Sequence, residues 1–382
     1  MPKSRVVDTL SHLVAFPTVS DRPVTEIAAF LAQHADDAGF AVEQLPSEPG
    51  KSNVVARVGP RGQGGLLLSG HMDVVPTEGQ AWTSDPFKMV ERDGQLVGRG
   101  TADMKGFIAA VVESLRGFPV HDLKREIVLV WTHDEEIGCL GAQQLVERWA
   151  PSLDPLPPDA WIGEPTDLHI CRMHPGHTTV DLTFQGRPAH SSKPQLGLSA
   201  IHIAAEAIQV LQRVAEEWKQ HPMPDTTLPC PHAVMNVGHI QGGTAVNIVP
   251  EHCTLRLGIR PLPGQDSLAL VEEIRQALRP LSEAAARDGG SVHVALRQCA
   301  PPLLTDADIP LAHALRPHAA APEIGGVPFA TDGGHLNQLG TRCLVFGPGS
   351  IDVAHRADES VPARALEQTV QIVRSVLMER CT

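Results

Sequence analysis

The chain has 382 residues, 42% of them hydrophobic, with 44 acidic side chains against 31 basic ones and a formal net charge of −13. That length exceeds one ordinary core and predicts two domains, while an acidic balance with no basic stripe argues against a nucleic-acid partner. No apolar run reaches the length of a spanning helix, so no membrane partner is expected. Met1-Pro2-Lys3-Ser4-Arg5 leads into an amphipathic segment rather than an apolar signal core, which predicts a cytoplasmic protein. The seven cysteines are scattered without a Cys-x-x-Cys pair, so reduced, mostly buried thiols are expected rather than cysteine-ligated zinc.

In chain order, 4–15 and 24–38 read as amphipathic helices, the second with Ile27, Phe30 and Leu31 at helical spacing. The apolar runs 54–58 and 66–68 bracket a turn at 60–65 and read as strands, the second ending at His71. A helix is predicted over 104–115, a buried strand over 126–132, a helix over 141–149, a proline-punctuated loop over 151–158 and a short strand over 160–163. From position 176 the texture changes: strand 178–184, helix 197–219, strands 234–240 and 253–259, helix 266–287 and strand 291–298. That β-α-β-β-α-β order describes an antiparallel sheet with two helices on one face. Helix and strand alternate again after Pro301-Pro302. The pattern predicts an α/β chain in which a domain at 177–298 is inserted into a larger one formed by 1–176 and 299–382.

Five residues stand out as candidate ligands of two metal ions that share one carboxylate: His71, Asp103, Glu136, Glu164 and His355. Imidazole and carboxylate suit zinc or cobalt, and paired metals hydrolyse unreactive amides. Most of the five follow strand C-termini, where open α/β sheets place their sites. His71 and Asp73, two apart, point to one face, and a carboxylate there can hold the second ring nitrogen of a ligating histidine. Asp103, in a glycine-rich turn before an apolar helix, has a helix cap as its plain alternative, and a phosphate cradle lacks the required spacing around Gly98-Arg99-Gly100; beside the other ligands, a carboxylate bridging two metals is the better reading. Glu135 and Glu136 would face opposite ways on a regular strand and could both reach a site only at a strand-to-loop junction. Glu164 lies between Gly163 and Pro165, and His355 between a Gly347-Pro348-Gly349-Ser350 turn and Asp358-Glu359.

Ser69-Gly70-His71-Met72-Asp73-Val74-Val75-Pro76, the stretch from Gly98-Arg99-Gly100 to Gly106, Asp134-Glu135-Glu136 and Gly163-Glu164-Pro165-Thr166 carry a resemblance that covers nearly the whole chain. It is to the zinc-dependent amidohydrolases and peptidases that include acetylornithine deacetylase, succinyl-diaminopimelate desuccinylase, aminoacylase and glutamate carboxypeptidase. The resemblance implies a two-domain fold: an aminopeptidase-like α/β/α catalytic domain, and an inserted α+β domain that serves as lid and as the contact of a homodimer. It implies two zinc ions per subunit, replaceable by cobalt. Asp103 would bridge them, His71 and Glu164 would bind one, and Glu136 and His355 the other. Glu135 would be the general base, Asp73 would orient His71, and the peptide after Asp103 would be cis. Arg187-Pro188-Ala189-His190-Ser191-Ser192 matches the segment whose histidine, here His190, stabilises the developing oxyanion, usually in the partner subunit. Asn247 and Arg260 match positions that contact substrate.

The implied reaction is hydrolysis of an N-acyl amino acid. Phe346-Gly347-Pro348-Gly349-Ser350-Ile351, Ala354-His355 and Asp358-Glu359 look most like acetylornithine deacetylases, which release L-ornithine and acetate for arginine biosynthesis. Thr331-Asp332-Gly333-Gly334 departs from the Thr-Glu-Ala frequent in those enzymes, which leaves a desuccinylase or a broad aminoacylase or carboxypeptidase open. A catalytically silent metal-containing relative that binds acyl amino acids is the reading from another class. An oxidoreductase lacks a dinucleotide fingerprint.

Overall fold

The computed structural model describes residues 4–20, 22–62, 64–149, 156–224 and 226–382. The loop expected at 151–158 lies outside the described residues as far as position 155, as do position 63 of the 60–65 turn and the first three residues. Two compact units form. One comprises the residues up to Met173 with Leu303–Val327 and Thr331–Thr382; the other comprises His174–Pro302 with Pro328–Ala330.

The first unit is built on a nine-stranded mixed sheet. Its centre is four parallel strands, in the order Glu126–Thr132, Gly65–His71, Asp159–Ile162 and Arg342–Val345. Gly65–His71 and Glu126–Thr132 are buried at every position, as strands covered by helices on both faces must be. Leu66, Leu68, Ile127, Leu129 and Trp131 pack into one core with the helices Arg5–Val14, Lys105–Ser114 and Ala363–Cys381. The alternate set, Leu67, Val128 and Val130, is equally buried. An edge strand, Ala41–Pro46, pairs antiparallel with Ser52–Val58. A separate three-stranded sheet joins Val90–Arg92, Gln95–Val97 and Ser360–Pro362.

The second unit is a four-stranded antiparallel sheet ordered Val234–Gly242, His252–Arg260, His177–Gln185, Ser291–Ala300. Its strands alternate: Val180, Leu182 and Phe184, with Cys253, Leu255, Leu257 and Ile259, face the core. Ala200–Trp218 and Ser267–Arg287 cover that face, contributing Ala204, Ala207 and Leu211 from one helix and Ile274 and Leu278 from the other. This is the β-α-β-β-α-β order read from the sequence. No helix among the described residues is long and apolar enough to cross a membrane. All seven cysteines are unpaired, five of them buried.

Candidate metal centre and active site

Three parallel strands deliver the site. His71 aligns with Thr132 and Ser69 with Ile162, so the loops that carry Glu135, Glu136 and Glu164 leave one common edge beside His71. Gly163 precedes Glu164 because a Cβ there would meet the Phe107 ring at 1.9 Å. Asp103 enters from the loop before Lys105–Ser114, and the Asp103–Met104 peptide is cis, as the resemblance implied.

The geometry centres on Asp103. Its Oδ1 lies 3.0 Å from His71 Nε2, and its Oδ2 lies 3.2 Å from His355 Nε2. Glu136 Oε2 is 2.9 Å from the same His355 nitrogen, and Glu164 Oε1 is 3.8 Å from His71 Nε2. Ligand atoms of His71, Asp103 and Glu136 fall within 4.8 Å of one another, as do those of His71, Glu135 and Glu164. His71 Nδ1 donates to the backbone carbonyl of Asp73 at 3.0 Å, which turns Nε2 toward Asp103.

The Asp73 carboxylate stands 3.7 Å from His71 Nδ1 and does something further: it accepts the backbone amides of Glu135 and Glu136 at 3.1 and 3.2 Å, and the Ser20 hydroxyl at 2.9 Å. Asp134, in the left-handed region at φ 54°, turns the chain so that two adjacent acids reach one site. Its carboxylate is held by buried Lys51 at 2.5 Å and by His133 Nδ1 at 3.0 Å.

Burial and mutual repulsion set the protonation. Desolvation, reinforced by the charge of Asp103, pushes Glu136 up to about 7. Glu135 and Glu164 are also raised well above the usual carboxylate range, first by burial. For Asp103, burial is outweighed by hydrogen bonds with His355 and His71, and its pKa falls below the ordinary range. His355 rises to about 10 through its hydrogen bonds with Asp103 and Glu136. So many ionisable oxygens and imidazole nitrogens in so little water form a donor set that fits divalent cations, whose charge would offset the repulsion.

Several residues were given no role by the sequence, although some lie in motifs it displays. Buried Glu359 accepts the amides of Gly100, Ala102 and Asp103 at 2.9–3.0 Å and pairs with buried Arg99 at 2.7 Å. Asp332, singled out only as a departure in a motif, accepts the Thr132 hydroxyl, and it forms with Glu135 and Cys139 a third group of ligand atoms within 4.8 Å. Burial raises its pKa to about 6. Lys51 and Ser20 carried no signal, because neither sits in a patterned segment.

The remaining candidates belong to the second unit. His190 is exposed, with Nδ1 2.7 Å from the Ser192 hydroxyl. Asn247 lies beside it, its carbonyl accepting the Ser191 amide at 3.0 Å. Arg260 ends the strand His252–Arg260, and its charge, after burial, helps push His177 down to about 4.

Residues 67–379 match the peptidase family M20/M25/M40. The chain belongs to that family. It is therefore a member of a hydrolase family, and its two-domain fold recurs in solved relatives. Aminopeptidase PepT of Bacillus cereus is 22% identical, with 98% of each chain covered and a TM-score of 0.75. The M20 metallo-carboxypeptidase Sso-CP2 of Sulfolobus solfataricus is 17% identical over 98% of this chain and 99% of that one, with a TM-score of 0.79. The YXEP protein of Bacillus subtilis, described as a dinuclear metal-binding peptidase of the M20 family, is 16% identical over 98% of both chains, with a TM-score of 0.69.

Proposed function

We propose that this M20-family chain hydrolyses the amide bond of an N-acyl amino acid, with N-acetyl-L-ornithine, giving L-ornithine and acetate, as the expected substrate. The observation that carries the reading is Asp103, whose two carboxylate oxygens each face a different imidazole, His71 and His355. That is the disposition of a ligand shared by two cations. Asp103 is assigned as the bridge, His71 and Glu164 as ligands on one side, and Glu136 and His355 on the other. Zinc suits this nitrogen-and-oxygen set, and cobalt substitutes for it.

Cations held there supply the positive charge that polarises an amide carbonyl and eases deprotonation of water. The protein's groups do the rest. Glu135 takes a proton from the attacking water; the carbonyl carbon gains the hydroxyl. The C–N bond then breaks, and Glu135 returns its proton to the leaving nitrogen. Asp73 keeps Glu135 and Glu136 in place through their amides. His190 is assigned to the developing oxyanion, Asn247 and Arg260 to substrate binding, with a fork of N–H donors suited to an α-carboxylate. A homodimer formed through the second unit completes the proposal.

A second reading, cleavage of short peptides, is favoured by those similar structures that are described as peptidases, among them the di-peptidase Dug1p of Saccharomyces cerevisiae. The deciding experiment is free-amine release by zinc- or cobalt-loaded protein across N-acetylornithine, N-succinyl-diaminopimelate, other N-acyl amino acids and dipeptides. Chelator should abolish all turnover. Preference for a dipeptide would keep the chemistry and replace the substrate, and metal-loaded protein silent on every amide would leave a binding protein. Glu135→Gln should lower kcat on the order of 100-fold or more with metal content unchanged; near-normal turnover would remove Glu135 as the base.

A further inference from the structure

Asp103 and His355, assigned above to the same cation, stand on segments far apart in sequence, and one buried ion pair touches both. Ser360–Pro362 pairs antiparallel with Gln95–Val97, and Gly98 continues the ladder by donating to the Glu359 carbonyl at 2.9 Å. This places Glu359 beneath the turn that carries Asp103. Its carboxylate is 1% exposed and takes three amides of that turn besides Arg99 Nη1.

The Arg99 guanidinium, also 1% exposed, reaches the other way. Nη1 donates to the Arg356 carbonyl at 3.3 Å, and Nη2 donates to Gln80 Oε1 at 2.7 Å. Gln80 Oε1 also accepts the Trp82 indole N–H at 3.0 Å, and the guanidinium lies 5.0 Å from the Trp82 ring centre. With its oxygen fixed by two donors, the Gln80 amide can point its nitrogen in one direction only. Nε2 donates to the His355 carbonyl at 3.0 Å. His355 needs such a hold: its backbone is left-handed at φ 61°, and its side chain is 51% exposed.

We infer that Gln80 is a positioning residue for the cation on the Asp103–Glu136–His355 side, relaying the buried Arg99–Glu359 pair to the backbone of His355. This rests on the two-cation reading. Glu359 fixes one ligand of that cation through three amides, and Gln80 fixes another through one carbonyl. Asp103 is shared by both cations, but His355 belongs to one of them, so the Gln80 end of the relay, through the His355 carbonyl, acts on that cation and not on the one beside Glu164.

Glu359→Gln would test the pair directly, but a buried ion pair that loses a charge puts folding at risk. Gln80→Met avoids that, because the residue lies in a partly exposed loop, and the variant keeps the length while losing both donor and acceptor. Purified apo-protein would be titrated with Co2+ by calorimetry, with the visible absorption of the bound cobalt followed in parallel. The wild type should take two equivalents. Gln80→Met should keep one binding step at wild-type affinity and weaken the other 10–100-fold, the range for partners that orient metal ligands, with altered absorption on the weakened step and an unchanged Tm. Two wild-type binding steps with an unchanged spectrum in the variant would overturn the inference, as would equal weakening of both steps. Wild-type protein that binds fewer than two equivalents would overturn the two-cation reading first, and the inference with it.

Discussion

Lys51 shows what a single buried charge does at this site. Its ammonium, on a side chain only 9% exposed, lies 2.5 Å from Asp134 and also reaches the Ser20 carbonyl. Ser20 in turn gives its hydroxyl to Asp73, which holds the amides of Glu135 and Glu136. One cation thus braces the turn that presents both acids. Replacing Lys51 by Met should cost about 3 kcal/mol of folding stability, because the Asp134 carboxylate is left buried with His133 as its remaining side-chain partner. Lys51→Met paired with Asp134→Asn should recover most of that loss. Urea titrations of the two single variants and the double variant measure this. Additive losses in the double variant would mean that the two side chains do not act as a pair.

Helices and strands here differ in how loudly their sequences announce them. The helix Ser267–Arg287 carries Leu270, Val271, Ile274 and Leu278 on one stripe, and Asp266 caps it by accepting the Leu268 amide at 2.8 Å. Asp266→Ala should therefore lower the stability of the second unit by about 1 kcal/mol, read by thermal melting; an unchanged Tm would mean that water replaces the cap at no cost. Such elements were legible, as were Glu126–Thr132 and Gly65–His71, because a continuous apolar run has one structural meaning once it is bounded by turns. Ala41–Pro46 was not: as an edge strand it is largely exposed, and Ala-Val-Glu-Gln-Leu-Pro has no alternation to read. The small sheet that joins Gln95–Val97 to Ser360–Pro362 was equally silent, since three-residue strands carry no period. Within the site, residues that follow apolar strands could be found by position, whereas Arg99 and Glu359 meet across 260 residues and only folding brings them together. Sequence also placed Asp73 at the site, but its contact with the amides of Glu135 and Glu136 depends on the left-handed turn at Asp134.

Across the whole chain, the acid limit of stability belongs to histidines as well as carboxylates. In the first unit, burial drives His335 from 6.5 down to about 4, offset in part by a hydrogen bond with Gln338; in the second, burial and then Arg260 drive His177 to about 4. A base whose pKa is depressed by folding stays neutral in the native state while the unfolded chain takes up a proton. Between pH 6.5 and 4 the unfolded state therefore binds more protons, and stability rises with pH across that window and falls as pH drops through it. At pH 5 His335 alone should cost about 2 kcal/mol relative to neutral pH. Carboxylates titrate in the same range, so a falling curve for the wild type would not isolate the imidazole. A comparison does: His335→Leu has no proton to take up and should lose less stability than the wild type between pH 7 and pH 5. The difference in unfolding free energy between the two proteins, measured by urea titration at both pH values, should shrink or change sign in favour of the variant at pH 5. Parallel losses would show that His335 is protonated in the native state at ordinary pKa, and that its burial carries no penalty.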